Sequence, residues 1–312
     1  VSGQRILVVK LGALGDFVQS LGPFAAIRHH HPKAQITLLT TAPFRRFAEA
    51  SRWFDQVWTD DRPGFAQIGG WLELRRRLRG GRFDRVYDLQ TSDRSGAYYR
   101  LFWPGPRPEW SGIAAGCSHP HANPNRDTLH TIDRQAEQLR IAGIPSAPAA
   151  DLGWVAADAS RFAVGDAAVV LVPGGARHRP DKRWPADRFA ALARRLVDKG
   201  CHPVLLGGEA EAEILAAVAA AVPEAQNLCG RTDLFDLVAL ARAARAAVGN
   251  DTGPMHLIAA AGCPSLMLFS AASDPALCAP RGDRVAIRQA SDLTHLTVED
   301  VLEALSGWLG RC

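Results

Sequence analysis

The sequence predicts an α/β protein made of two doubly wound, Rossmann-like domains. Three observations carry that expectation. Short apolar runs suited to buried parallel strands alternate with amphipathic stretches of helical period. Glycine-rich turns follow several of those runs, as they do where a strand feeds a helix. Residues 145–150, with two prolines among small residues, interrupt the alternation near mid-chain and read as a connector between two such series. The expected layout is a first domain over 1–150 and a second over 151–296. A terminal helix over 297–312 is expected to pack back on the first domain.

Length and composition agree. A chain of 312 residues is enough for two domains of ordinary size, and 47% apolar with 22% charged residues marks a globular protein. The six cysteines, at 117, 201, 229, 263, 278 and 312, show no ligand spacing and read as reduced thiols in the cytoplasm. No apolar run approaches the roughly 20 residues that span a bilayer, and the first residues lack the pattern of a signal peptide. The net charge of +4 suits anionic ligands or an anionic membrane surface. Nothing in the pattern asks for nucleic acid. The densest basic run, Arg75-Arg76-Arg77-Leu78-Arg79 with Arg82 beyond, is either a solvated helix face or a loose contact with anionic lipid.

Taken in order, 5–10 is a compact strand around Ile6-Leu7-Val8-Val9. Leu11-Gly12-Ala13-Leu14-Gly15-Asp16 turns the chain into a helix expected over 16–30, with apolar residues at 17, 18, 21, 24 and 27. The spacing here is G-x-x-G, so the G-x-G-x-x-G fingerprint of dinucleotide binders is absent. Strands follow at 35–40, 54–59 and 86–89, with a short helix at 44–50 and an amphipathic one at 64–78. The strand at 86–89 runs into Asp88-Leu89-Gln90, and Thr91-Ser92-Asp93-Arg94-Ser95 enters the next helix. Carboxyl ends of parallel strands line the ligand crevice of such folds. Gly15, Asp16, Asp88, Gln90, Asp93 and Arg94 are therefore expected on one rim. A strand at 109–113 closes the sheet, 114–125 is a loop, and 130–143 is a helix. His119 and His121 in that loop have no carboxylate or cysteine at a supporting spacing, so no metal is assigned.

The second series has strands at 168–172, 203–206, 245–248 and 265–269. Its helices lie at 185–200, 209–221, 234–243 and 298–309. Pro173-Gly174-Gly175-Ala176 and Gly207-Gly208 are turns, and His178, Arg179, Lys182 and Arg183 form a basic loop.

The chemistry concentrates at Asn250-Asp251-Thr252-Gly253-Pro254-Met255-His256, where a buried strand breaks into a helix. Asn250 or Asp251 is expected to cap that helix, and Pro254 suits its first turn. Gly253 admits a ligand to the backbone, and the free N–H groups with the positive dipole end make an anion site. Thr252 adds a hydroxyl, and His256 lies one turn deeper. Lys182, in a glycine-rich loop after a buried strand, faces the same anion as a point charge. The bland alternatives are a capped helix with His256 in the core, Lys182 on the surface and Asp16 as an N-cap. No G-x-x-x-x-G-K-[ST] is present, so a P-loop kinase or ATPase is not expected. A carboxylate such as Asp16, facing a cleft between the domains, can take a proton from an attacking hydroxyl. Phosphate site on one domain and base on the other is the layout of a nucleotide-sugar transferase. Positive charge and helix N–H groups would stabilise its departing nucleoside diphosphate.

Ile6–Asp16 as a whole resembles the opening of glycosyltransferase family 9, the heptosyltransferases. Pro173-Gly174-Gly175-Ala176, Lys182-Arg183-Trp184-Pro185, Leu206-Gly207-Gly208-Glu209, Cys229-Gly230-Arg231-Thr232 and the stretch from Asn250 to His256 resemble its donor-domain signatures. The resemblance runs in order from about residue 5 to about 282. It implies a GT-B fold with two facing domains, and inverting, metal-independent transfer from a nucleotide sugar. No cofactor is implied; the family's donor is ADP-heptose and its acceptor the inner core of lipopolysaccharide, at the inner face of the inner membrane. By motif match Asp16 takes the general-base place and Lys182 the diphosphate contact. Gly174, Gly175, Asp251, Thr252, Gly253 and His256 hold the donor. Glu209 contacts the nucleoside, a role Glu211 or Glu213 could serve equally. No Asp-x-Asp occupies a donor loop, in keeping with metal independence. The rival readings are a nucleotide-sugar epimerase on the same architecture, a nicotinamide oxidoreductase, which the missing fingerprint disfavours, and a non-catalytic nucleotide-binding module.

Overall fold

A computed structural model describes residues 3–175 and 179–310. The chain divides into two units after Trp154. In the first, β1 (Arg5–Val9), β2 (Gln35–Thr40), β3 (Gln56–Thr59), β4 (Arg85–Asp88), β5 (Glu109–Gly112) and β6 (His119–Pro120) form a parallel sheet in the order β3-β2-β1-β4-β5-β6. In the second, β7 (Ala168–Val172), β8 (His202–Leu205), β9 (Gln226–Asn227), β10 (Ala246–Asn250), β11 (Ser265–Phe269) and β12 (Val285–Gln289) give β12-β11-β10-β7-β8-β9. Numbered within its own unit, each sheet has the doubly wound order 3-2-1-4-5-6. The strand order therefore reverses direction between β1 and β4, and again between β7 and β10, and ligands bind beyond the carboxyl ends of strands at such switch points.

The central strands are apolar along most of their length, as strands covered by helices on both faces are. All five residues of β7 are buried, as are Ile6, Leu7, Val8 and Val9 of β1. Register then fixes chemistry: Val9 pairs with Asp88, and Gly249 with Val172. Each pairing brings two strand ends, and the loops after them, side by side.

Several elements differ from expectation. The helix expected over 16–30 is two, Leu14–Val18 and Leu21–His30. The break falls where the Ser20 hydroxyl donates to the Asp16 carbonyl at 2.7 Å, a side chain competing with the helix ladder. The amphipathic helix begins at Ile68 rather than 64. The two-residue edge strands β6 and β9 carry too little apolar pattern to be read from sequence, and β12, though it opens Val-Ala-Ile, lies outside the expected strands.

The connector is anchored further along than 145–150. Leu152 is buried, and the Trp154 ring meets those of Phe47 and Trp53 at 4.9 and 5.6 Å. These contacts tie the segment to the first unit up to the dividing point.

The terminal helix corrects the expectation that it returns to the first domain. Thr297 caps it by accepting from Asp300 N. Its stripe Val301, Leu302, Leu305 and Leu309 packs in the second unit's core with Trp184, Phe189, Leu192 and Leu196. The Trp184 indole donates to the Leu296 carbonyl at 3.0 Å. The helix follows β12 closely, and the nearest apolar surface is that of the helix Ala186–Asp198.

Cys117, Cys229, Cys263 and Cys278 are free. Among the described residues no helix is long and apolar enough to cross a membrane.

Candidate active site

In the second unit the site begins with Asn250, the last residue of β10 and fully buried. Its side-chain amide donates to the carbonyls of Pro173 and Gly174 at 2.9 and 3.0 Å, and its Oδ1 accepts from Trp184 N at 2.9 Å. One side chain thus ties the loop after β7, the entry to the helix Ala186–Asp198 and the end of β10 together. It does not cap the next helix, contrary to expectation. That helix, Gly253–Ala260, has Thr252 at its N-cap position, with no side-chain cap bond. Asn250→Ala leaves the Trp184 N–H and the carbonyls without their partner. Chemical denaturation is expected to show a loss of about 2–4 kcal/mol; an unchanged midpoint would mean the tie is idle.

Asp251 is the hub of the turn. Its Oδ2 accepts from Lys182 Nζ at 2.8 Å and from Ser273 Oγ at 2.6 Å, and His256 Nε2 lies 3.7 Å from its Oδ1. Burial pushes its pKa up. The His256, Lys182 and Ser273 contacts outweigh burial and hold the carboxyl well below the usual carboxylate range. The side chains of Lys182, Asp251 and His256 are 15%, 10% and 6% exposed. Asp251 therefore positions two cation-capable groups rather than meeting an anion itself, which refines its expected role as a donor contact. Lys182 closes a one-turn 3-10 helix, Pro180–Lys182, and its ammonium keeps donors beyond the one given to Asp251.

What remains for a ligand is consistent. Thr252 Oγ1 and His256 Nδ1 are buried and have no hydrogen-bond partner among the described residues. The backbone N–H groups of Gly253 and Met255 lie in the unpaired first turn of the helix. Gly174 must lack a side chain, since a Cβ there would stand 2.4 Å from Glu211 Cγ. Gly175 follows it, and its carbonyl accepts from Arg183 at 2.8 Å. Ala176 and His178 lie outside the described residues. The structure separates the three glutamates. Glu211 Oε2 accepts from Gly208 N at 2.9 Å and is spent in the turn. Glu213 sits inside the helix Ala212–Ala221. Glu209 is exposed after β8, beside Gly230.

In the first unit, Asp16 lies half-buried in the first turn of the helix Leu14–Val18. Ala13 holds the N-cap position, so Asp16 is not a cap. Gly12 has φ +121°, and a Cβ there would sit 3.0 Å from the Phe44 ring; only glycine takes this turn without strain. Behind it Lys10 is buried, with Nζ donating to Leu89 O at 3.1 Å. Burial lowers its pKa, and the charges of Asp16 and Asp88 oppose that shift. Arg134 also feels the charge of Asp16. Asp16 thus shares a local field with two cations that sequence reading missed.

The expected rim is only partly there. Asp88 is fully buried; its Oδ1 accepts from Gln90 N and Thr91 N at 3.1 Å each, and burial pushes its pKa up to about 6. It holds the loop from beneath, and its charge acts on Lys10. Gln90 accepts from Leu11 N at 2.8 Å, locking the loops after β1 and β4 together. Arg94 donates to Pro63 O and lies over the Trp71 ring. Each of the three bonds into a loop, while Asp88 Oδ2 and Arg94 Nη1 stay buried without a hydrogen-bond partner among the described residues. Asp93 is exposed and Gly15 half-buried. Ser273 was missed as well. It follows β11, the neighbour of β10, and the rule on strand ends would have found it.

Among the described residues no three His, Cys, Asp or Glu side chains converge to hold a metal ion. His121 Nε2 meets Glu137 at 3.0 Å, and His119 Nδ1 meets Ser118 Oγ at 2.9 Å.

Comparison with known proteins bears on this geometry. Residues 71–299 match the family described as glycosyltransferase family 9 (heptosyltransferase). Lipopolysaccharide heptosyltransferase 2 of Escherichia coli is 28% identical over 309 residues, covering 86% of this chain and 83% of the relative. The solved structure of E. coli ADP-heptose lps heptosyltransferase II superposes with a TM-score of 0.80 at 23% identity over 98% of both chains. UDP-GlcNAc 2-epimerase from Methanocaldococcus jannaschii superposes less well, with a TM-score of 0.62 at 10% identity over 99% of this chain and 94% of its own. Those two likenesses establish the fold. The matched segment runs through both units and takes in Lys182, the glycine turns and the whole Asp251 hub, and on that basis the chain belongs to glycosyltransferase family 9, as a glycosyltransferase of GT-B fold.

Proposed function

We propose that this protein transfers heptose from ADP-heptose to the inner core of lipopolysaccharide, with inversion and without a metal ion or other cofactor. The observation that carries the reading is the cradle in the second unit. Lys182 is held by a firmly ionised Asp251, beside a Thr252 hydroxyl that has no partner among the described residues and the N-terminus of the helix Gly253–Ala260. These are the groups a departing diphosphate needs as its charge grows. Glu209 is the nucleoside contact in this scheme, and Asp16 the base. The acceptor oxygen bonds to the anomeric carbon as the bond from that carbon to the diphosphate oxygen breaks. The electron pair leaves with ADP, and the hydroxyl proton passes to Asp16. Gly15 and Asp93 are the acceptor-side residues that remain accessible.

The test is incubation with a panel of nucleotide sugars, with and without lipopolysaccharide core acceptors. Acceptor-dependent release of ADP is expected, with an inverted anomeric centre by NMR. Interconversion of the nucleotide sugar without acceptor would establish an epimerase instead, and binding without turnover a non-catalytic module. Chelation gives a second check. With Lys182 and helix N–H groups meeting the diphosphate, EDTA is expected to leave the rate unchanged. Loss of activity restored by magnesium or manganese would overturn metal independence.

A further inference from the structure

The helix Ile68–Gly80 buries Leu74 and Leu78. On the other side Ile68, Leu72, Arg75, Arg76 and Arg79 fall at i, i+4, i+7, i+8 and i+11 and share one stripe. The stripe is not simply solvated. Ile68 is 70% exposed, Leu72 58%, and Phe65, in the turn leading into the helix, 94%. That turn is fixed: Gly64 N donates to Gln67 Oε1 at 2.6 Å, and the Trp71 indole donates to Gly64 O at 3.1 Å. Phe65 is thus held outward by built structure.

Trp103, 66% exposed, adjoins the stripe, because Arg75 donates to its carbonyl at 3.1 Å. Of the five large apolar side chains exposed among the described residues, four are these. A groove of about 660 Å³ continues from it, lined by Arg79, Arg82 and Arg107 and also by Asp84 and Glu109, which are held by Arg5 N and by the Arg85 guanidinium. Glu73 pairs with Arg76 at 2.6 Å and leaves Arg75, Arg79, Arg82 and Arg107 uncompensated by it.

We propose that this surface docks on an anionic lipid bilayer, with Phe65, Ile68, Leu72 and Trp103 entering the headgroup–acyl boundary and the arginines meeting lipid phosphates. Apolar side chains flanked by arginines on one helix face are the pattern of an interfacial helix. Charge complementarity selects the occupant. Lipid phosphate is opposite in sign to the stripe, whereas a second copy docked through the same face would set two cationic stripes together. The proposal goes beyond the transfer chemistry, and it sharpens the simple expectation of a basic run by assigning much of the binding to apolar insertion.

The experiment is flotation of the full chain with vesicles of phosphatidylglycerol and phosphatidylethanolamine, or of phosphatidylcholine alone, with neither donor nor acceptor present. Binding is expected to the anionic vesicles and to be much weaker to phosphatidylcholine. The combined Phe65→Ser, Ile68→Ser and Leu72→Ser variant is expected to bind roughly tenfold weaker per side chain removed. The Arg75→Gln, Arg79→Gln variant should lose about fivefold per arginine, with a shallower dependence on salt. Circular dichroism checks that these surface variants fold. No binding at low salt, equal binding to phosphatidylcholine, or an apolar variant that binds like wild type would overturn the proposal. So would sedimentation showing a dimer that the apolar variant dissociates. Transfer to a detergent-solubilised acceptor, measured separately, keeps this result distinct from that of the proposed function.

Discussion

Asp16→Asn is expected to lower kcat by about 10²–10⁴-fold, the range for loss of a general base, with donor affinity and melting temperature near wild type. The reason is geometric. Asp16 projects from the first turn of a short helix at the carboxyl end of β1, at the switch point of the first sheet. Its side chain makes no cap bond, so the substitution removes charge and proton affinity and leaves the helix start intact. The neighbouring Lys10 loses one of the two carboxylates that offset its burial, but Asp88 remains. With the carboxylate in the first helical turn, the loss of stability should stay under about 1 kcal/mol. Catalysis has no such reserve. The acceptor hydroxyl becomes acidic only as its oxygen bonds to the sugar, and an amide cannot take the proton at that moment. Measured kcat and donor KM together decide the matter: an Asn variant with full turnover would remove Asp16 from the chemistry.

Lys182→Ala is expected to reduce kcat roughly ten- to a hundredfold and to raise donor KM. The corresponding loss is about 1.5–3 kcal/mol, that of a hydrogen bond to a charged group. Because negative charge grows on the diphosphate as the bond breaks, part of the loss belongs to the transition state and falls on kcat. The structure adds a complication. Lys182 is also the cation paired with Asp251 at 2.8 Å, so its removal strips a half-hidden carboxylate of one partner, leaving Ser273 and His256. A fall in stability of about 1–3 kcal/mol should accompany the kinetic effect. The double variant Lys182→Ala, Asp251→Asn separates the two. Neutralising the orphaned carboxylate should restore the melting temperature while kcat stays low. If kcat recovers with stability, Lys182 acts only through the fold; if Lys182→Ala alone leaves both constants unchanged, the lysine lies outside the site.

The two sheets were legible because their central strands are unbroken apolar runs bounded by glycine turns. Ile6-Leu7-Val8-Val9 and Ala168–Val172 allow no other buried element of that length. Where an edge strand has two residues, as in β6 and β9, no pattern exists to read. The terminal helix shows a different limit. Its stripe Val301, Leu302, Leu305 and Leu309 announces a helix with one buried face, but periodicity is silent about which surface receives it.

Sequence by itself determined the alternation of strands and helices, the glycine turns, the resemblance to the heptosyltransferases and the motif places of Asp16, Lys182 and Asp251–His256. All of these are local, set by neighbours within a few residues. Only the tertiary structure decided what each polar group is doing. It sent Asp88 and Gln90 inward as struts, turned Asn250 from a cap into a tie between three segments, and spent Glu211 in a turn. It also joined Lys182 and Ser273 to Asp251 across 69 and 22 residues of chain. The physical reason is the cost of burying an unpaired donor or acceptor, which draws most such groups to a partner. Which partner each finds depends on strand order and register, which no local pattern encodes.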